Sequence, residues 1–168
     1  GVSRAVDVQS AFNSPFWPFV LASTSVGQEG VDFHWWCHSL VHWNQPSNVV
    51  DLEQREGRVH RYKGHAVRKN VAAAHRTEAI TAGHPDPWRA AFDAAAANPS
   101  RPPDLGDLWP AWVYRGPARV TTWVPFLPLS KEKDKEERLR GDRAIYRLAF
   151  GQPRQEDLLD VLRAENAD

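Results

Sequence analysis

The sequence predicts an α/β domain, a parallel sheet flanked by helices, with a mostly helical extension on its carboxyl-terminal side. Three observations carry this. Two short apolar runs, residues 17–23 and 39–43, are bounded by turn formers and have the length of buried parallel strands. A glycine-bearing turn follows the first run and a helical stretch follows the second, which is the strand–turn–helix alternation of an α/β fold. Residues 70–97 are alanine-rich, and alanine is the best helix former.

Taken in order, residues 1–15 mix polar groups with Pro15 and read as the remnant of a helix and loop. Residues 17–23 supply the first strand, and Gly27 and Gly30 let the backbone turn after it. Residues 39–43, Ser-Leu-Val-His-Trp, are the second strand. Residues 44–48 contain Pro46 and form a loop, with Ser47 or Asn48 placed to cap a helix over 49–58. His84-Pro85-Asp86-Pro87 breaks the alanine-rich stretch into two helices. Pro99, Pro102, Pro103 and Pro110 make 98–110 a loop. Residues 112–127 are rich in aromatic and β-branched side chains and are expected to be extended. Residues 131–143 alternate charge sign, as a solvated helix does. Ile145, Tyr146, Leu148 and Phe150 add apolar surface after it. Beyond the break at Gly151-Gln152-Pro153, Leu158, Leu159, Val161 and Leu162 give residues 155–165 the apolar face of a last helix.

The 168 residues carry no net charge, yet residues 55–76 hold seven Lys or Arg and a single acid, Glu56. Such a cluster suits a phosphate-bearing partner. The chain has no methionine and begins at Gly1, so it is expected to be an excised piece of a larger protein. One cysteine, Cys37, excludes an internal disulfide framework and agrees with a cytoplasmic location. No run approaches the roughly 18 apolar residues of a membrane span, so no membrane partner is expected.

Residues 54–61, Gln-Arg-Glu-Gly-Arg-Val-His-Arg, resemble motif VI of superfamily-2 helicases and translocases, Q-x-x-G-R-x-x-R. About thirty residues upstream, 23–33 read Ser-Thr-Ser-Val-Gly-Gln-Glu-Gly-Val-Asp-Phe, which is similar to their motif V. Both strings, in this order and at this distance, are far more specific than either alone. The closest resemblance is to the bacterial Swi/Snf-type branch. It implies that residues 1–70 are part of the second RecA-like lobe and that 71–168 are an extension packed on it. It implies Arg61 as an arginine finger, with Arg58 as its partner and Gln54 fixing nucleotide geometry. Gly30, Asp32 and Gly57 fall on the nucleotide side; Ser23, Thr24, Gly27 and Lys63 fall on the nucleic-acid side. Asp32 is expected to accept from a ribose hydroxyl or from a motif VI arginine. Arg58 and Arg61 lie three apart, and on a helix they share a face.

The implied function is ATP-dependent movement along nucleic acid, DNA in particular, with ATP and Mg²⁺ held chiefly by a first RecA-like lobe. The present chain has no G-x-x-x-x-G-K-[ST] loop and no DExx box, so by itself it is expected to be inactive. The alternative is a non-catalytic nucleic-acid-binding or scaffold domain.

His34, Cys37, His38 and His42 have a zinc-like spacing. Trp35 and Trp36 interrupt it, and a strand starting at Ser39 scatters the groups over two faces, so no metal site is assigned. Most of the eight tryptophans are expected in core or inter-lobe packing, and Trp43 and Trp109 are the best candidates for base-stacking platforms outside it. A Cys37 nucleophile lacks an orienting third group.

Overall fold

The computed structural model describes residues 2–24, 32–126 and 131–150, with side chains from residue 6 onward in the first of these segments. Five α-helices occur in them, α1 Val2–Phe12, α2 Val49–Gly57, α3 His65–Thr81, α4 Pro87–Ala97 and α5 Glu132–Ala149, and a 3₁₀ segment, Pro103–Leu108, lies within the stretch expected as a loop. Two short strands, β1 Ser39–Val41 and β2 Thr121–Trp123, pair with each other. Thr121 N donates to His38 O at 2.8 Å and His42 N to Trp123 O at 2.9 Å. The bonds climb both strands in the same direction, so the pair is parallel. The fold is therefore mixed α/β as expected, but helices dominate and the described sheet is short.

Two compact units divide the chain: Gly1–Ser39 with Gly57–Thr121, and Leu40–Glu56 with Thr122–Asp168. The division expected from the motifs, 1–70 and 71–168, separates motif content rather than these units.

In the first unit the core lies between α3 and α4, where Val71, Ala79, Ala90, Ala91, Phe92 and Ala95 are buried with Ala111, and Val67 and Tyr114 pack against them. Small alanines on both helices let the backbones approach closely. Gly83, at φ 63°, follows α3 in the left-handed region, where glycine has no Cβ penalty. Asp86 caps α4 by accepting from Trp88 N at 2.9 Å and Arg89 N at 3.2 Å, and Pro87 opens the helix. The buried amide of Asn70 then clamps the chain after α4. It donates to Tyr114 O and Ala118 O at 3.1 and 3.0 Å and accepts from Ala118 N at 2.9 Å. A Cβ on Gly116 would come within 2.4 Å of that amide, so the approach requires glycine.

The second unit is held differently. Helix α2 is capped by Asn48, whose Oδ1 accepts from Asp51 N at 2.9 Å. Leu52 of α2 and Leu139 and Ala144 of α5 are buried, and charge joins the two helices. Arg147 meets Glu53 at 2.8 Å, Arg143 meets Glu56 at 2.9 Å, and His42 lies 3.5 Å from Glu56. Gln45 donates to Glu136 at 2.6 Å, and Lys135 Nζ donates to Gln45 O at 2.7 Å.

Three expectations need correction. Residues 17–23 form no strand, and Phe16, Trp17, Phe19 and Val20 are exposed. Pro18 lacks the ladder donor a central strand needs. Among the described residues of 112–127, only Thr121–Trp123 is strand: Pro110, Pro117 and Pro125 limit pairing, and the Asn70 clamp holds 114–118 as a loop. The charged segment 131–143 is not solvated all round, because its inner face supplies the ion pairs to α2. The helix expected over 155–165 lies outside the described residues.

Candidate functional site

The candidate site lies in the first unit, where the segment that begins at Asp32 meets the segment that leaves α2. Phe33 N donates to Arg58 O at 2.9 Å, and His65 N donates to His34 O at 2.8 Å. These backbone bonds set residues 32–34 beside 58–65. Asp32 and Arg61 face one another across the junction. Arg61 Nε donates to Asp32 Oδ1 at 2.9 Å, and Nη2 stands 2.8 Å from the same oxygen. Both side chains remain nearly half exposed, at 47% and 41%. The guanidinium therefore keeps donors for a third group while its orientation is restrained.

The turn carrying Arg61 is tightly built. Gly64 N donates to Arg61 O at 2.9 Å, and a Cβ on buried Gly64 would lie 3.1 Å from that same carbonyl. Lys63 takes a positive φ of 52°, and its N–H reaches Ala111 O at 2.8 Å. Its ammonium lies over the rings of Phe92 and Tyr62, 4.5 and 5.3 Å from their centroids. Aromatic faces attract cations in this way.

Arg58 and Arg61 do not share a helix face. Helix α2 ends at Gly57, and both arginines lie in the turn that follows. Arg58 is half-buried. Gln54 is exposed on α2, in the second unit. Gly57 closes α2, with open space around its Cα. Ser23 and Thr24 are exposed, and Ser23 Oγ donates to Thr24 O at 3.1 Å. Gly27 and Gly30 lie outside the described residues.

An arginine-centred aromatic cluster adjoins the junction. The Arg68 guanidinium lies 4.6 Å from the Trp35 ring, 5.2 Å from Trp88 and 5.7 Å from Trp36. It also donates to Trp35 O. Burial pushes the Arg68 pKa down, yet a guanidinium stays charged at neutral pH. His65 stacks on His38 at 5.1 Å. Burial lowers the His65 pKa, against the opposing hydrogen bond to Trp35 O, with His38, Lys69 and Arg68 adding to the lowering. Burial likewise lowers His34, opposed by Asp32 and assisted by Arg61 and Arg68. In the sequence Arg68 stands out only as one of the basic residues of 55–76; it lies 33 residues from Trp35, and no local spacing announces their contact.

Cys37 is half-buried, and burial raises its thiol pKa, away from the reactive thiolate. Among the described residues no group of His, Cys, Asp and Glu stands close enough to hold a metal ion. Trp43 is exposed. Trp109 is tied in: it stacks on Tyr114 at 4.3 Å, and its Nε1 donates to Ala95 O at 3.2 Å. No described helix is long and apolar enough to cross a membrane.

Residues 4–63 match the family described as the helicase conserved C-terminal domain, a span that contains both motif strings and the Asp32–Arg61 pair. No curated protein and no solved structure matches the chain. The match supports reading this segment as part of the carboxyl-terminal lobe of a superfamily-1 or superfamily-2 helicase, and with it nucleic acid and an amino-terminal lobe as partners in general. It does not single out the Swi/Snf-type branch.

Proposed function

We propose that the helicase-like segment works as the second lobe of an ATP-driven translocase on DNA, of the Swi/Snf type, with Arg61 as its arginine finger. The observation that carries the reading is the Arg61–Asp32 pair, which joins the two motif strings across 29 residues of sequence. Hydrolysis spreads negative charge over the γ-phosphoryl oxygens. A guanidinium delivered there can accelerate turnover by roughly 10³–10⁵. Asp32 occupies one edge of the fork and restrains it, and the remaining N–H groups are left for phosphate. In this reading Asp32 is a positioning residue, Arg58 adds charge beside the finger, and Gly57 lies on the nucleotide side; the resemblance to motif VI gives Gln54 a part in nucleotide geometry.

Ser23, Thr24, Gly27 and Lys63 contact phosphates of the strand, Gly30 lies on the nucleotide side with Asp32, and the Arg55–Arg76 stretch adds sequence-independent attraction. ATP and Mg²⁺ are held chiefly by the first lobe, since the phosphate loop G-x-x-x-x-G-K-[ST] and the DExx box are not in this sequence. Lobe closure brings Arg61 to the phosphates; reopening after hydrolysis advances the lobes.

The test is steady-state ATPase with saturating DNA in the two-lobe protein. Arg61→Ala is expected to lower kcat by about 10²-fold or more with little change in nucleotide affinity. Asp32→Asn, which leaves the finger but loosens it, is expected to lose less. Near-normal turnover by Arg61→Ala would replace this reading with a non-catalytic nucleic-acid-binding or scaffold domain.

A further inference from the structure

Beside the junction runs an open groove of ≈ 390 Å³, lined by Val6, Gln9, Ser10 and Asn13 of the α1 side and by Trp35 and Trp36 opposite. Its walls differ in chemistry. One presents two indoles, exposed at 43% and 42%. The other presents the Gln9 carboxamide and the Ser10 hydroxyl from α1, with Asn13 just past the helix end. Asn13 ties the groove to the junction, because its Nδ2 donates to Asp32 O at 2.7 Å. Its Oδ1 is buried and has no hydrogen-bond partner among the described residues. Sealed from solvent, that atom belongs to the wall and is not itself open to a ligand.

We propose that this groove receives one unpaired nucleobase of a bound strand. The inference rests on the reading that the chain contacts nucleic acid, and it adds the form of that contact. A base offers a π-face to an indole and an edge of donors and acceptors to a carboxamide, which are the two chemistries the walls present. Gln9 meets the edge; Trp35 and Trp36 take the face. Arg68 acts as a positioning residue, its guanidinium packed against Trp35, Trp36 and Trp88 and so fixing the indoles. Val6 alone among the lining residues is aliphatic, so the groove does not have the apolar lining a hydrophobic peptide side chain would seek.

The test compares two fluorescein-labelled strands of equal length and charge, oligothymidine and its abasic counterpart, by anisotropy on the purified chain. Stacking one base is expected to favour the base-bearing strand by about tenfold. Trp36→Leu should bring that ratio close to one while leaving the abasic affinity and its salt dependence unchanged. Gln9→Leu, on the helix surface and away from the α3–α4 core, should lower the ratio too, and it keeps the test open where Trp36→Leu misfolds by circular dichroism. Equal wild-type affinity for both strands would overturn the base groove and leave the nucleic-acid reading standing. Binding to neither strand would overturn both. An undiminished ratio in a folded Gln9→Leu protein would overturn the placement. Equally effective competition by free thymidine monophosphate, at matched concentration, would overturn the strand as the source of the base.

Discussion

Helices α3 and α4 meet through alanine, valine and phenylalanine, whereas α2 and α5 meet through carboxylates and guanidiniums around two leucines. The first contact is non-directional: its strength follows the area removed from water. The second is directional. Glu53 and Glu56, three apart on α2, face Arg143 and Arg147, four apart on α5, and a slide of either helix by one residue would separate them. Desolvating such charges costs much of what their attraction returns, so the pairs add less to net stability than their number suggests. What they add is register.

The largest effect that would break the comparison is in the apolar contact. Phe92→Ala should cost about 3–4 kcal/mol, measured by chemical denaturation, because its buried ring leaves a cavity between α3 and α4. A loss below about 1 kcal/mol would mean that this core is not close-packed.

Next comes the buried pair. Arg147→Met should cost about 3 kcal/mol, since Glu53 is left with its charge poorly compensated, while Glu53→Leu/Arg147→Met should recover most of the loss. The double variant sharpens the contrast. A pair that matters for register more than for strength can be replaced by apolar groups; one that cannot is a net stabiliser.

A smaller effect is set by pH. Burial holds His34 and His65 below their ordinary pKa of 6.5. Between the lowered values and 6.5 the unfolded chain binds more protons than the folded one, so stability falls as pH drops through this window and levels below it. His34→Gln/His65→Gln should flatten that part of the melting-temperature profile. An unchanged slope would assign the pH response to other groups.

The smallest effect on stability belongs to the pair with the largest proposed effect on activity. Asp32 and Arg61 are nearly half exposed, and Arg61→Ala should change the unfolding free energy by less than about 0.5 kcal/mol. A much larger loss would make Arg61 a structural residue first.

Much of this molecule was legible in one dimension. His84-Pro85-Asp86-Pro87 breaks α3 from α4, Asn48 caps α2 by local hydrogen bonding, and the alanine content of 70–97 favours α3 and α4. The two motif strings were readable because they are contiguous and their chemistry depends on residue type at fixed spacing. Nothing in periodicity foretold that residues 17–23 leave their aromatic side chains in solvent, since a short apolar run reads the same whether or not a neighbour pairs with it. The helix proposed to align Arg58 with Arg61 stops one residue before Arg58, and only the backbone shows that.

Local interactions, within about four residues along the chain, were decided by the sequence itself: caps, breakers, helix-forming stretches and the identity of the charged motif residues. Long-range choices were decided only in three dimensions. Asp32 joins Arg61 over 29 residues, Arg147 joins Glu53 over 94, and Arg68 gathers Trp35, Trp36 and Trp88 from two other segments. A guanidinium has many carboxylates and rings within reach of its chemistry. Which one it meets depends on which segments packing brings together and which charges it removes from water.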